Sequence, residues 1–512
     1  PALWPAGGPQ PPCGGRRLRG RGLEEDCRMQ PRVLGTGVHG QVRLAVCRST
    51  GRQFAVKSFH RSKLSAEEWE DMQNEVQIYL SLDHPHIARL ERVYSEEGAV
   101  HLVMEHLDGG ELFDCLVDRR RYSEAESADV ARQVLLAVDY LHARKGVVHR
   151  DLKLENLLYE CPGSKHVKLI DFGMSRHWDG KTPMSHRCGS LQYVAPEVLA
   201  QSYTEKADLW SVGVLTYMLL VGEPLFHGTD RVVAEKVRAG RPGFSRSFSG
   251  LSAEAKAFVR SLLSAAPAER PGAGLALEHP WLHRHRPAAA VVEASVMQSL
   301  RTFADAPRLR RACLLSMAWA LRDEDRAGLR GQFSALAGSG SGVITLEGLR
   351  LALGEAAGAE AEALLAGLDL NGDGEVTWSE FLAAAMPEQA FSNEDTSHAA
   401  FHLFDAQAAG QAVDGCAEAA AGAPLGSFSS EEGDDGCTEQ SSGSFSTHEE
   451  FCAYLRQPRP EPVLLGREAT VDAAGGVGKP LSPETPQPIK EPVGRIAARW
   501  QAAVKLARSV AA

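Results

Sequence analysis

No Cys-x-x-Cys pair occurs in the 512 residues, although ten cysteines are present. That pattern suits free thiols in a reducing compartment rather than a disulfide framework. Long apolar runs are absent as well. The longest, Val212 to Val221, is too short to span a bilayer. The first residues are rich in Pro, Gly and Arg and lack the apolar segment of a secretory signal. Nor is the chain basic: a net charge of −11 argues against a general nucleic-acid binder. The expectation is a cytoplasmic monomer without a transmembrane segment, long enough for two to four domains with sizeable cores. Because residue 1 is Pro, the chain reads as a fragment that an N-terminal lipidation signal could precede.

What is present centres on His149 to Asn156, His-Arg-Asp-Leu-Lys-Leu-Glu-Asn, between the apolar runs Val134–Leu141 and Val167–Ile170. The spacing predicts a helix, a tight polar loop and a short buried strand. A loop that holds an acid, a base and an amide between core segments suits catalysis. Taken alone, the tripeptide also fits a solvated turn.

Upstream, Leu34 to Val42 reads as strand, glycine turn and strand. Gly35, Gly37 and Gly40 let backbone N–H groups approach a phosphate, although a plain hairpin turn is equally compatible. Phe54-Ala55-Val56-Lys57 reads as a strand whose lysine either faces water or has a partner. Glu75, eighteen residues later on a helix from Ala66 to Leu82, could pair with it and aim the ammonium at a phosphate. His101 to Glu105 is a buried strand that runs into the linker Asp108-Gly109-Gly110, and Glu111 opens the next helix. Lys168 to Gly173 is a strand that ends in an acid and a glycine turn.

Together these residues resemble the eukaryotic protein kinases from Gly35 to about Trp281: GxGxxGxV, AVK, the helix glutamate, HRDLKxEN, DFG, APE and DxWSxGV stand in order. The resemblance implies an α+β, bilobal kinase fold with a β-rich N-lobe and a helical C-lobe. It implies that Gly35, Gly37 and Gly40 cover ATP, and that Lys57, held by Glu75, contacts its phosphates. Asn156 and Asp171 would hold Mg²⁺, Asp151 would take the proton of the substrate hydroxyl, and Lys153 would sit beside the transferred group. The place of Lys153 suits serine/threonine kinases. Val42, Ala55 and Leu158 would enclose the adenine with Met104 at the back. Glu111 and Glu155 match positions that read basic residues upstream of the target, although either also fits a solvated surface acid. Glu197 and Arg270 would form a buried ion pair. Arg150 could dock an anion from the 174–194 segment, with Thr182 and Ser185 nearest.

The second half carries a different signal. Residues 283–322 combine Arg308–Arg311 with an apolar stripe, as a calmodulin target helix or a capping helix would. Asp369 to Glu380 is a twelve-residue Ca²⁺ loop with oxygen ligands at Asp369, Asn371, Asp373, Glu375, Thr377 and Glu380. Gly374 supplies the sharp turn and Val376 pairs with a partner loop. Ala337–Gly348 keeps Gly342 and Ile344 but has lost its terminal acids, and is expected to persist as that structural partner. Asp405–Cys416 has lost most ligands, and a last vestige lies near Gly443, Phe445 and Glu449.

A kinase, a basic junction helix and an all-α, calmodulin-like EF-hand domain resemble the calcium-dependent protein kinases over roughly residues 30–455. The resemblance implies ATP, Mg²⁺ and Ca²⁺, protein substrates with upstream basic residues, and a junction helix that inhibits until the EF-hand domain grips it. The expected layout is a disordered lead 1–28, the kinase 29–282, the junction 283–322 and the EF-hand domain 323–455 with an acidic insertion 411–442. A Pro-rich linker and basic tail fill 456–512. One intact loop instead of four puts a steep, cooperative switch in doubt. A kinase free of calcium control, or a calcium-binding scaffold with an inactive kinase, stays open. A tail helix over Gly494–Val510 could touch an acidic membrane or a calmodulin-like partner, or pack back on the protein.

Overall fold

A computed structural model describes residues 17–19, 22–37, 40–286, 292–338, 342–354, 357–387, 390, 393–408, 445 and 447–456. The insertion 411–442, most of Asp405–Cys416, Gly443 and the whole tail from 457 lie outside the described residues.

The first lobe is a six-stranded sheet. Strands β1 (Arg17–Arg19), β2 (Cys27–Gly37), β3 (Gly40–Cys47), β4 (Gln53–His60), β5 (Leu90–Glu96) and β6 (Ala99–Glu105) run in the order β1-β5-β6-β4-β3-β2. The expected disordered lead is therefore partly structured. Arg17–Arg19 pair in parallel with Val93–Ser95, and a short helix α1 (Leu23–Asp26) buries Leu23 beside Cys27, Phe54 and Tyr94. Period-two alternation along β4 puts Phe54 and Val56 into that core and leaves Ala55 and Lys57 on the other face. Helix α2 (Ala66–Leu80) starts on a capping box, Ser65 with Glu68, at 3.2 and 2.8 Å. Trp69, Met72, Glu75, Val76 and Tyr79 form its buried stripe, so the sheet-facing side carries the glutamate.

The second lobe is helical, with small β elements on its upper face. Helix α3 (Leu112–Arg119) is followed by α4 (Glu124–Asp139), then β7 (Val147–Val148), β8 (Leu157–Tyr159), β9 (Val167–Leu169) and β10 (Arg176–His177). Short α5 (Pro196–Leu199) leads to α6 (Lys206–Val221). Every residue of α6 from Ala207 to Val221 is buried, and its polar Asp208, Ser211 and Thr216 are each hydrogen-bonded. Around it stand α7 (Asp230–Arg238), α8 (Arg246–Ser249), α9 (Ala253–Leu262), α10 (Ala273–Leu277) and α11 (Pro280–Arg284).

The remaining helices share a separate core. They are α12 (Ala294–Ala304), α13 (Arg308–Ala320), α14 (Asp323–Ala337), α15 (Leu346–Leu353), α16 (Gly358–Leu368), α17 (Trp378–Ala385), α18 (Glu394–Ala408) and α19 (His448–Arg456). The junction is two helices, not one. Pro307 caps the second, and proline disfavours helical backbone in the residue before it. Val296, Leu300, Phe303, Leu314 and Met317 from the junction are buried among Phe333, Ile344, Leu364, Phe381 and Phe451. Phe445 also lies in this core. The described cysteines are free thiols, and no helix among the described residues is long and apolar enough to cross a membrane.

Candidate active site

The cleft between the lobes collects most of the residues singled out above. Lys57 Nζ lies 2.6 Å from Glu75 Oε1 and 3.3 Å from Asp171 Oδ1. Burial works against the ammonium, but the two carboxylates outweigh it and hold Lys57 above its ordinary pKa. Burial likewise opposes the Asp171 carboxylate, and Lys57 holds it below the usual range. Asp171 and Arg150 have φ of 62° and 69°, a conformation that costs non-glycine residues energy and persists only under firm constraint.

That constraint is visible on both residues. Phe172 is fully buried between the rings of Tyr79 and His149, with centroids 4.9 and 5.2 Å away. Backbone N–H groups of His149 and Arg150 donate to the two oxygens of Asp208, at 2.8 and 2.9 Å, and His142 Nε2 sits 2.8 Å from the same carboxylate. Asp208 thus hangs the His149–Asn156 loop from the interior helix α6. The Arg150 side chain donates to Met174 O at 2.6 Å and Tyr203 Oη at 3.3 Å, and Tyr203 donates to His186 O at 2.7 Å. In this arrangement Arg150 meets neutral oxygens of the 174–194 segment and its neighbour. Thr182 is held by Asp179.

Asp151 is crowded with donors. Lys153 Nζ reaches Oδ2 at 2.6 Å, and the backbone N–H and hydroxyl of Ser190 reach Oδ1 at 3.0 and 2.9 Å. Lys153 also donates to Ser190 Oγ at 3.2 Å. Asn156 Nδ2 donates to Asp151 O at 2.9 Å, which leaves the amide oxygen as the atom able to meet a metal. Asn156 and Asp171 offer hard oxygen donors of the kind Mg²⁺ prefers, so the donor chemistry fits that ion.

Ala55 stands opposite Met104 in the β4–β6 register, Val42 opposite Lys57, and Leu158 bridges to Glu111. Adenine-lining candidates thus stand on three adjoining strands and β8. Glu111 precedes α3, and Glu155 lies in the turn after Lys153, where Tyr193 donates to it at 3.2 Å. Burial pushes the Glu155 carboxyl up. Arg270 grips Glu197 through both guanidinium ends, at 2.5 and 2.7 Å, deep in the helical lobe. Sequence reasoning assigned no role to Ser190 or Asp208. The second stood inside the quoted DxWSxGV motif, whereas a lone serine seven residues before Glu197 carries no signal of its own.

The 369–380 segment is coiled as an EF-hand loop requires. Asp369 accepts from Gly372 N and Gly374 N at 2.7 and 2.8 Å, Asn371 from Asp373 N at 2.9 Å, and Asp373 from Glu375 N at 3.0 Å. Gly374 has φ of 84°, the left-handed turn that glycine permits. Val376 and Ile344 exchange two backbone hydrogen bonds of 2.9 Å. Glu380 caps α17 and accepts from Leu370 N and Thr377 N, both at 2.8 Å. Its carboxyl is pushed up to about 7 by burial. Among the described residues no three His, Cys, Asp or Glu side chains converge as a ready cage. The loop carries the oxygen donors and the turn that Ca²⁺ needs, with its carboxylates engaged on backbone N–H groups.

The protein kinase domain family matches residues 29–282. Calcium-dependent protein kinase 9 of Oryza sativa subsp. japonica is 37% identical over 389 residues, covering 74% of this chain and 68% of that protein. Calcium-dependent protein kinase 34 of Arabidopsis thaliana is 33% identical over 444 residues, 84% of each chain. Calcium-dependent protein kinase 17 of Arabidopsis thaliana is 33% identical over 445 residues, 84% of this chain and 83% of that one.

Proposed function

This chain belongs to the calcium-dependent protein kinases and is a protein serine/threonine kinase, and on that premise we propose the residues that transfer phosphate and the part calcium plays. One observation carries the proposal: Lys57, Glu75 and Asp171 meet at 2.6 and 3.3 Å in the same cleft that holds Asp151 with its four donors.

ATP is the phosphoryl donor, with its triphosphate under Gly35, Gly37 and Gly40 and its adenine among Val42, Ala55, Met104 and Leu158. Lys57, fixed by Glu75, orients the phosphates. Asn156 and Asp171 hold Mg²⁺, which neutralises charge that develops on the transferred group. Asp151 accepts the hydroxyl proton of a substrate serine or threonine. Lys153 and Ser190 keep the Asp151 carboxylate turned toward that hydroxyl. Glu111 and Glu155 receive basic residues upstream of the target; a guanidinium at Glu155 would offset the burial that its carboxylate suffers.

For calcium, we assign Asp369, Asn371, Asp373, Glu375 and Glu380 as its ligands, with a cytoplasmic setting. Six large apolar junction side chains, Val296, Met297, Leu300, Phe303, Leu314 and Met317, sit in the C-terminal core. Each fully buried side chain of this kind contributes roughly 1.5–3 kcal/mol. One Ca²⁺ at a hundred times its Kd contributes about 2.7 kcal/mol. A single ion cannot pull this junction out of a competing site unless that site buries nearly as much. This burial favours a second possibility, in which the junction stays in the C-terminal core and calcium tunes activity without moving it.

Phosphorylation of an Arg-containing peptide with Mg-ATP, with and without Ca²⁺, tests the proposal. Faster transfer with Ca²⁺ is expected; equal rates would remove calcium control, and no transfer at all would remove the residue roles.

A further inference from the structure

The loop that has lost its calcium ligands presses on the kinase. Gly342, φ 63°, lies against the turn after α2, and a Cβ there would fall 2.6 Å from His84 Cδ2, 2.7 Å from His84 Nε2 and 3.2 Å from Tyr140 Cβ. A side chain there would have to displace the buried His84 ring. The ligand-bearing loop touches the same region. Asp83 accepts from Ser379 N and Ser379 Oγ, each at 3.0 Å, and is buried. Arg144, beyond α4, pairs with Glu375 at 2.5 Å. The Ile344–Val376 bridge ties both loops together between these contacts.

We propose that the kinase lobe does the work a second calcium ion would otherwise do. In a pair of metal-binding loops, each loop is ordered in part by its own ion and steadies its neighbour. Here Ala337 and Gly348 stand where one loop would need terminal acids, and packing of Gly342 against His84 and Tyr140 holds the described stretch 342–348 instead. Asp83 then holds the residue just before Glu380. The carboxylate also caps the N-terminal end of α17, where free backbone N–H groups and the helix dipole favour a negative charge. Asp83 is thus a positioning residue for a calcium site nearly 300 positions away, since the pair is 296 residues apart. The coupling is reciprocal: what docking adds to calcium affinity, calcium adds to docking. The contact point lies three residues past Leu80, the end of the helix that carries Glu75. This rests on the assignment of 369–380 as the calcium loop.

Calorimetric titration of the full chain with Ca²⁺ tests it. Asp83→Ala is expected to weaken calcium binding about fivefold or more, the low end of ordinary coupling between sites, although it removes no ligand. Arg144→Ala should weaken it in the same direction. Ser379→Ala keeps the N–H bond and loses the hydroxyl, so it should cost less than Asp83→Ala, and the double variant no more than Asp83→Ala alone. Amide exchange at 376–380 should rise in Asp83→Ala. If wild type binds Ca²⁺ and the Asp83 and Arg144 variants both stay within about twofold of it, or the Asp83 and Ser379 effects simply add, the coupling is overturned alone. If wild type binds no Ca²⁺, the loop assignment fails first and takes the coupling with it.

Discussion

Ser190 delivers two hydrogen bonds to one oxygen of Asp151, from its N–H at 3.0 Å and its hydroxyl at 2.9 Å, while its Oγ accepts from Lys153 at 3.2 Å. The 174–194 segment is thereby fastened to Asp151, the proposed base. Ser190→Ala keeps the N–H bond and loses the hydroxyl. A hydrogen bond to a charged group is worth roughly 1.5–3 kcal/mol, so kcat should fall about ten- to a hundredfold with little change in KM for ATP. Ser190→Thr should restore most of the rate. Steady-state kinetics on a basic peptide decides it. Asp151→Asn should abolish turnover and leave nucleotide binding intact, as a direct binding titration would reveal.

Arg270 and Glu197 form a two-pronged pair, and Arg270 is almost wholly buried. Removal of one partner strands the other charge in the core. Arg270→Ala should cost about 3–5 kcal/mol and lower the melting temperature of the kinase part well before any change in ATP affinity. Replacement of both partners by apolar residues should recover part of that loss.

Acid should weaken the fold at the turn where the two halves meet. His84 and His86 are buried there and His166 half-buried, in a row of rings 5.6 and 4.6 Å apart, and loss of solvation lowers all three pKa values, His84 to about 3. Arg132, Arg330 and Lys168 nearby add to the effect. In the unfolded chain each histidine protonates near pH 6.5. Below that pH the unfolded state therefore binds more protons than the native state, and stability drops as pH falls. The slope approaches about 1.4 kcal/mol per pH unit for each histidine. Thermal melts from pH 7.5 to 5 should show this decline, and His86→Asn should flatten it.

Leu300 has no exposed surface inside the C-terminal core. Leu300→Ala should destabilise that core by roughly 2–5 kcal/mol. If the junction belongs to this core in the working enzyme, the same change will not raise peptide phosphorylation without Ca²⁺. A rise would return the junction to the inhibitory role that the sequence suggests.

The residues that meet in the cleft were legible because their chemistry is local. His149 to Asn156 puts an acid, a base and an amide within eight positions, and Lys57 with Glu75 follows from one strand and the next helix. The two kinase lobes and the coil at 369–380 followed from the same short-range patterns. The rest depends on pairs that no spacing announces. Nothing about Asp83 marks it as the partner of Ser379, and Arg326 gave no sign that its guanidinium would lie 3.8 Å from Glu105 beside Lys168. The junction read as one helix because its apolar stripe runs past Pro307, and only a look at backbone chemistry there separates the two segments.

The Ile344–Val376 bridge uses only backbone atoms, one N–H and one C=O from each residue. Such bonds are indifferent to what side chains the flanking positions carry. A loop held this way can change its side chains without loosening the bridge. That freedom stops where geometry is demanded: at Gly342, where a methyl group has no room, and at Ile344, which is fully buried. Among descendants of this chain, loop 337–348 should therefore vary freely in charge and hardly at all at those two positions. What the 337–348 segment contributes is then shape rather than charge.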